Sequence, residues 1–324
     1  MRIVIFTSWG GAYANPILKS LLNNNKLEIV RIYSQGVHMK RISNYHPSYY
    51  LNYKDNVSEM IRRQKYEDFN IIKSANDKEI IHFVKENKID YIFTIGYGEI
   101  LKKEIINAPI KGVINFHPGL LPENQGADPI SSVILNNIKT TGVTVHFIDE
   151  GVDTGDIILR KEWTYSQEIS YIALQLELGF FSASFIEMLL EILSQERINT
   201  IKQDNTKSKY YKKPNDEQGL FNFNMSSEEI SRIVKTFSGQ HQKAYFVFKK
   251  HRIYVGNCEI IKNVKGYEET EIIDQALGYL CIASKNGAVL LKEITIDDLN
   301  VDLSNQLINI LFDITSKKIS DGKV

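Results

Sequence analysis

Residues 112–129 read "GVINFHPGLLPENQGADP", an apolar run that ends in Asn115 and His117 and passes straight into a loop rich in proline and glycine. A short β-branched run cut off by Pro118 and Gly119 reads as a buried strand. Side chains alternate along a strand, so Asn115 and His117 leave the same face at its carboxyl end, where doubly wound sheets hold their ligands.

Upstream of this strand, four more β-branched runs appear: "RIVIF" (2–6), "LEIVRIY" (27–33), "FNII" (69–72) and "DYIFTIG" (90–96). Between them lie "NPILKSLLNN" (15–24), "DNVSEMIRRQKY" (55–66) and "NDKEIIHFVKENK" (76–88), each with apolar residues at three-and-four spacing and Asn or Asp near its start. Strands alternating with helical patterns predict an α/β fold, a Rossmann-like, doubly wound and mostly parallel sheet wrapped by helices.

Downstream, "DPISSVILNN" (128–137) predicts a helix, "TGVTVHFID" (141–149) and "IILRKEW" (157–163) two strands, and "EGVDTGD" (150–156) the turn between them. A single long helix is predicted from about Gln167 to Gln195. Residues 203–218, "QDNTKSKYYKKPNDEQ", have the polar, lysine-rich composition of a connector. The division expected is therefore a catalytic domain over 1–202, a linker over 203–218 and a smaller β-rich domain over 219–324. That second domain is read as a helix "SSEEISRIVKTFS" (226–238), four short strands forming a small barrel or twisted sheet, and a final helix near "SNQLINILFDI" (304–314).

With 324 residues, 43% of them hydrophobic, the chain is long enough for such a two-domain arrangement. Its 39 basic and 39 acidic residues cancel, which argues against bulk attraction to nucleic acid or an anionic membrane. Cys258 and Cys281 have no C-x-x-C pairing and no zinc-ligand spacing, so they read as small apolar residues of a reducing compartment. The apolar run at the N-terminus is only four residues, Ile3 to Phe6, too short for a signal peptide, and the expected location is cytoplasmic.

Asp153, in the turn after the sixth strand, is flanked by Gly151 and Gly155, which allow a tight backbone path and close approach of a ligand. If folding brings it to His117, the trio suits acyl transfer from a bound donor to an amine. Asn115 can donate to an oxyanion, His117 can relay a proton, and Asp153 can orient the imidazole. Nothing in this chemistry calls for a metal or a covalent intermediate. Taken singly, each residue also has a structural reading: a hydrogen-bonding histidine, a turn-forming asparagine, a loop carboxylate held by amides.

"GVINFHPGLLPENQGADPI" followed by "TGVTVHFIDEGVDTGDII", with "DYIFTIGYGEIL" ahead of both, resembles the folate-dependent formyltransferases. The similarity is read as nearest to enzymes that N-formylate nucleotide-linked amino sugars, with methionyl-tRNA formyltransferase as a relative. It implies that Asn115, His117 and Asp153 are the catalytic trio and that 10-formyltetrahydrofolate is the co-substrate, without a metal. It also implies a pterin site against the backbone near Gly98 and Leu101 and against the turn Asp149 to Val152, Gly151 included. "GYGEIL" is not a dinucleotide fingerprint, because it lacks the third glycine and follows the fourth strand. The second domain, through "ALGYLCIASKNGAVLLKEI" (276–294), looks like the oligonucleotide-fold-like module that some members carry.

The acceptor implied is the amine of a dTDP-, GDP- or UDP-linked sugar, of the kind used for bacterial surface polysaccharide such as O-antigen. Family members that hold tRNA usually carry basic residues after Leu-Leu-Pro, whereas this chain has Glu123, Asn124 and Gln125 there, beside an RNA backbone a destabilising choice. Asn124, Gln125 and Asp128 are expected to meet sugar hydroxyls, or else to sit in a solvated loop with Asp128 capping the next helix. In the first turn, "TSWGGAYANP" (7–16), Gly10 and Gly11 could cradle phosphate, while Trp9 and Tyr13 either stack on a base or pack against the loop. Lys207, Lys209, Lys212 and Lys213 either neutralise a diphosphate or are simply solvated. The Tyr-rich stretch 38–55 is assigned to a substrate-facing surface or to the interface of a homodimer.

Overall fold

The structure, a computed structural model, describes residues 1–8, 11–35, 69–238, 243–276 and 278–296. The helix expected over 55–66, the stretch 38–55 and the final helix near 304–314 lie outside the described residues. The chain divides into two compact units: residues 1–133, 138–165 and 172–213 form the first, and the second begins at Pro214 and includes 134–137 and 166–171.

In the first unit the strands are β1 (Arg2–Ser8), β2 (Glu28–Gln35), β3 (Phe69–Ile72), β4 (Tyr91–Ile95), β5 (Gly112–His117), β6 (Gln125–Gly126), β7 (Thr140–Phe147), β8 (Ile157–Thr164) and β9 (Tyr210–Tyr211). Seven of them make one sheet in the order β3-β2-β1-β4-β5-β7-β8. Pairing is parallel from β3 through β5 and antiparallel from β5 through β8. The chain leaves β1 toward β2 and β3 on one side and returns to β4 and β5 on the other. That reversal is a topological switch point, and it sets the loops after β1, β4 and β5 along one sheet edge.

The central parallel strands β1 and β4 are largely apolar because both of their faces are covered: Ile3, Val4, Ile5 and Phe6 are fully buried, and all five residues of β4 are buried. One face, through Val4, Phe6, Ile92 and Val113, packs on Ile80 and Val84 of helix α2 (Lys78–Glu86) and Ile105 of α3 (Lys103–Ile106). Elsewhere in this unit α1 (Ala14–Leu22) buries Ile17, Leu18 and Leu21, and helix α4 (Pro129–Leu135), whose residues up to Val133 belong here, follows the loop after β5.

The long helix expected over 167–195 is two helices, α5 (Tyr171–Ala183) and α6 (Ile186–Leu193). Ser184 donates its hydroxyl to the Phe181 carbonyl, and Phe185 sits at φ −114°, ψ 16°. The Ser184 amide is shared between the Phe180 and Phe181 carbonyls, so the ladder tightens to three-residue spacing and ends there. Residues 203–218 are locally ordered: a short 3-10 turn at Asn205–Lys207 precedes β9, which pairs in parallel with β6.

The second unit is a five-stranded antiparallel sheet, β10 (Ala244–Phe248), β11 (His251–Ile261), β12 (Ile272–Ala276), β13 (Tyr279–Ser284) and β14 (Gly287–Ile296), in the order β10-β11-β14-β13-β12. Helix α7 (Ser227–Phe237) starts at a reciprocal cap between Ser226 and Glu229. It buries Ile230, Val234 and Phe237 in a core with Phe221, Phe223, Phe246 and Val289. Cys258 and Cys281 are buried free thiols, and burial pushes the Cys258 thiol up to about 11. Among the described residues no helix is long and apolar enough to cross a membrane.

Candidate active site

Asn115 lies between two neighbours in register, Thr94 on β4 and His146 on β7. Residues directly opposite one another on adjacent strands project to the same face, so the three form a row across the sheet. Thr94 Oγ1 donates to Asn115 Oδ1 (2.8 Å), and Asn115 Nδ2 lies 3.2 Å from His146 Nε2. His146 Nδ1 is 2.8 Å from the Phe147 carbonyl oxygen, which can only accept. Nδ1 therefore carries the proton, and Nε2 accepts from the Asn115 amide.

Two residues along β5, His117 is buried with Nε2 2.8 Å from the Asn124 carbonyl oxygen. The same reasoning makes Nε2 the donor and leaves Nδ1 facing inward. Asp153 arrives from the turn that follows β7, with φ +55°, in the left-handed region. Its Oδ2 accepts from the Gly126 amide (2.9 Å), and its carbonyl accepts from the side chains of Gln125 (3.1 Å) and Gln203 (2.8 Å). Oδ1 is then 3.5 Å from His117 Nδ1 and 3.7 Å from His146 Nε2.

Gly126 makes this possible. Its φ is +119°, and a Cβ there would lie 2.1 Å from the Tyr211 carbonyl oxygen of β9. Only glycine lets the loop come close enough to β9 while aiming its N–H at the carboxylate.

Burial, with the charge of His117 next in weight, pushes the His146 imidazole down from 6.5 to about 4. At neutral pH His146 is an uncharged acceptor for Asn115. From sequence His146 is a strand residue without an assigned role. Its only signal there was an alternation that puts it on one face of β7, and the face matters only once β7 is known to lie beside β5.

Asn115, His117 and Asp153 are thus brought together. A model of the family described as "Formyl transferase" matches residues 1–174, and one described as "Formyl transferase, C-terminal domain" matches residues 213–303. The chain belongs to the formyltransferase family. The methionyl-tRNA formyltransferase of Clostridium tetani is 31% identical over 238 residues, 74% of this chain and 76% of that one. Two solved structures share the fold. An N-formyltransferase from Helicobacter canadensis, in complex with folinic acid and dTDP-3-aminofucose, aligns at TM-score 0.61 and 18% identity over 91% of this chain and 100% of that one. HypX from Aquifex aeolicus, in complex with tetrahydrofolic acid, aligns at TM-score 0.63 and 16% identity over 91% of this chain, which spans 44% of HypX.

The other expected site residues of this formyltransferase fall into distinct environments. Gly98, Gly151 and Val152 are exposed, with Val152 40% and neighbouring Ile100 70% accessible. Leu101 is a core residue, so its backbone and not its side chain faces any ligand. Glu99 ties down the loop by accepting from the Ala75 amide, Asn76 and Tyr97 (each 2.8 Å). Asp149 Oδ1 accepts from Gly151 N (3.0 Å) and Thr154 Oγ1 (2.6 Å), closing the turn.

The residues expected at sugar hydroxyls are placed differently. Asn124, Gln125 and Asp128 are only 5–6% exposed. Asn124 donates to the Pro129 carbonyl (3.1 Å) and accepts from Ser132 Oγ (2.7 Å). Asp128 accepts from the backbone and hydroxyl of Ser131 (3.2 and 2.6 Å). Gln125 holds the backbone of Asp153. All three side chains brace the loop, because a buried polar group must be partnered where it lies.

Trp9 and Gly10 lie outside the described residues. The Gly11 carbonyl accepts from Ala14 and Asn15 at the start of α1, and Tyr13 is buried with its hydroxyl 3.2 Å from Ser182 Oγ. Lys207 pairs with Asp204 (3.7 Å), Lys209 lies over the Tyr211 ring (4.8 Å), and Lys212 and Lys213 are exposed.

Proposed function

We propose that this formyltransferase moves a formyl group from 10-formyltetrahydrofolate to the amine of a nucleotide-diphosphate-linked amino sugar. The observation that carries the reaction is the convergence of Asn115, His117 and Asp153, each held through one atom and presenting another. The exposed backbone at Gly98 and Gly151, beside the apolar side chains of Ile100 and Val152, suits a flat heterocycle with amide-like edges. These residues would hold the folate, and the bound donor would supply the activated formyl carbon.

Addition of an amine to that carbon places negative charge on the formyl oxygen. Asn115 has one Nδ2 hydrogen engaged by His146 and a second to give to that oxygen. His117 can engage the reacting groups only through Nδ1, since Nε2 is tied to Asn124. Asp153 Oδ1 stands beside that nitrogen and takes up the amine proton, directly or through His117.

The sugar acceptor is supported by charge. Glu123, exposed in the loop after Leu-Leu-Pro and paired with Arg160 (3.3 Å), would oppose a phosphate backbone, and the net charge is zero. In this reading residues 1–202 are the catalytic domain and 219–324 an accessory β-rich domain. The second reading, formylation of methionyl-tRNA, draws on the Clostridium tetani relative. A side-by-side assay of charged initiator tRNA and dTDP-, GDP- and UDP-amino sugars, read as tetrahydrofolate released and product mass, is expected to give sugar-dependent turnover. Turnover with tRNA alone reverses the choice.

A further inference from the structure

His117, His146 and Asp153 are each tied to the backbone by one polar atom, and the other atom of each points inward. His117 gives Nε2–H to the Asn124 carbonyl, His146 gives Nδ1–H to the Phe147 carbonyl, and Asp153 Oδ2 receives the Gly126 amide. What remains is Nδ1 of His117, Nε2 of His146 and Oδ1 of Asp153, all within 4.8 Å of one another. Among the described residues this is the one such grouping of histidine, cysteine and carboxylate side chains.

Two imidazole nitrogens and a carboxylate oxygen are a donor set suited to a borderline divalent cation. Zinc bonds of about 2.0–2.1 Å put tetrahedral ligand atoms roughly 3.3–3.4 Å apart. The Asp153 oxygen is already 3.5 Å and 3.7 Å from the two nitrogens. Both histidines donate their outer N–H to a backbone carbonyl, the arrangement that fixes ring and tautomer for metal ligation.

We propose that His117, His146 and Asp153 form a binding site for Zn²⁺ or a similar first-row divalent cation, occupied at the expense of formyl transfer. The Asn115–His146 hydrogen bond is surrendered when the cation takes Nε2, and the part-exposed side of Asp153 leaves a fourth position for water. The site itself does not depend on the proposed reaction. The inhibition does, because the cation takes the nitrogen and oxygen assigned to proton handling.

The test is equilibrium dialysis of the EDTA-stripped full-length protein against ZnCl₂, repeated with CoCl₂ for its absorption spectrum. Expected are about one equivalent bound, a four-coordinate cobalt spectrum without a thiolate band, and affinity lowered about tenfold or more by His146→Asn and by Asp153→Asn. His82→Asn, at an exposed histidine paired with Glu86, should bind as the parent does. Turnover should fall with zinc occupancy and return with EDTA. No binding at millimolar zinc, a thiolate band from Cys258 or Cys281, or binding undiminished in both variants overturns the site. If a variant fails to fold, the parent's cobalt spectrum and stoichiometry still decide. Zinc bound in the site with turnover intact overturns the inhibition and the assignment of His117 and Asp153, whereas normal turnover without zinc binding overturns the site alone.

Discussion

Asn115 with Asp153, and Asn124 with Asp128, are two Asn–Asp sets of identical chemistry, and the structure uses them in opposite ways. Asn124 and Asp128 have both ends of their side chains engaged, by Pro129 and Ser132 in one case and by Ser131 in the other. Asn115 keeps one amide hydrogen, and Asp153 keeps Oδ1 directed at two histidines. Burial alone does not separate a brace from a reactive group. Unused hydrogen-bonding capacity, held in place by the used part, does.

The sharpest way to break this contrast is to remove the reactive set. His117→Ala and Asp153→Ala are each expected to lower kcat on the order of 1000-fold, measured as tetrahydrofolate formed, with folate binding still measurable by titration. Near-normal turnover in either would put both residues among the braces. Asn115→Leu, which deletes one oxyanion donor and keeps the volume, is expected to lower kcat about 100-fold with little change in donor KM.

For the bracing set the readout moves from rate to stability. Asn124→Ala should lower unfolding free energy by about 1 kcal/mol, because it removes two buried hydrogen bonds while Ser132 Oγ and the Pro129 carbonyl still satisfy each other (2.7 Å), and should change kcat less than tenfold. A higher sugar KM at unchanged stability would instead make Asn124 a substrate contact and erase the distinction.

A further check on burial is the acid response of His146. Folding lowers its pKa from 6.5 to about 4, so the unfolded chain takes up the proton first as pH falls. Its stabilising contribution is whole above about 6.5 and is lost progressively as pH drops through about 4. With chelator present, Tm followed over that window should fall less steeply in His146→Gln than in the parent. An unchanged slope would show that burial does not hold this imidazole neutral.

Much of the frame was legible beforehand. The runs at 2–6, 27–33, 69–72, 90–96 and 112–116 all fall on strands, most plainly at β1 and β4, where burial on both faces demands an apolar, β-branched segment. Nothing in the apolar pattern of 167–195 marks the break after Ala183, where Phe185 leaves helical geometry. For the polar loop 124–128, composition reports polarity and not burial, so the sequence leaves sugar contact and a solvated loop side by side, and only the structure shows that Asn124, Gln125 and Asp128 are buried and partnered.

By itself the sequence determined that Asn115 and His117 share a face, because strand periodicity is a local property of the backbone. It also put a glycine-flanked aspartate in the next turn. Only the tertiary structure decided that Thr94 and His146 flank Asn115, because sheet order sets which strands are adjacent and no local pattern encodes it. It likewise decided that Gly126, pressed against Tyr211, anchors Asp153 beside His117, since that contact joins four separate segments of the chain.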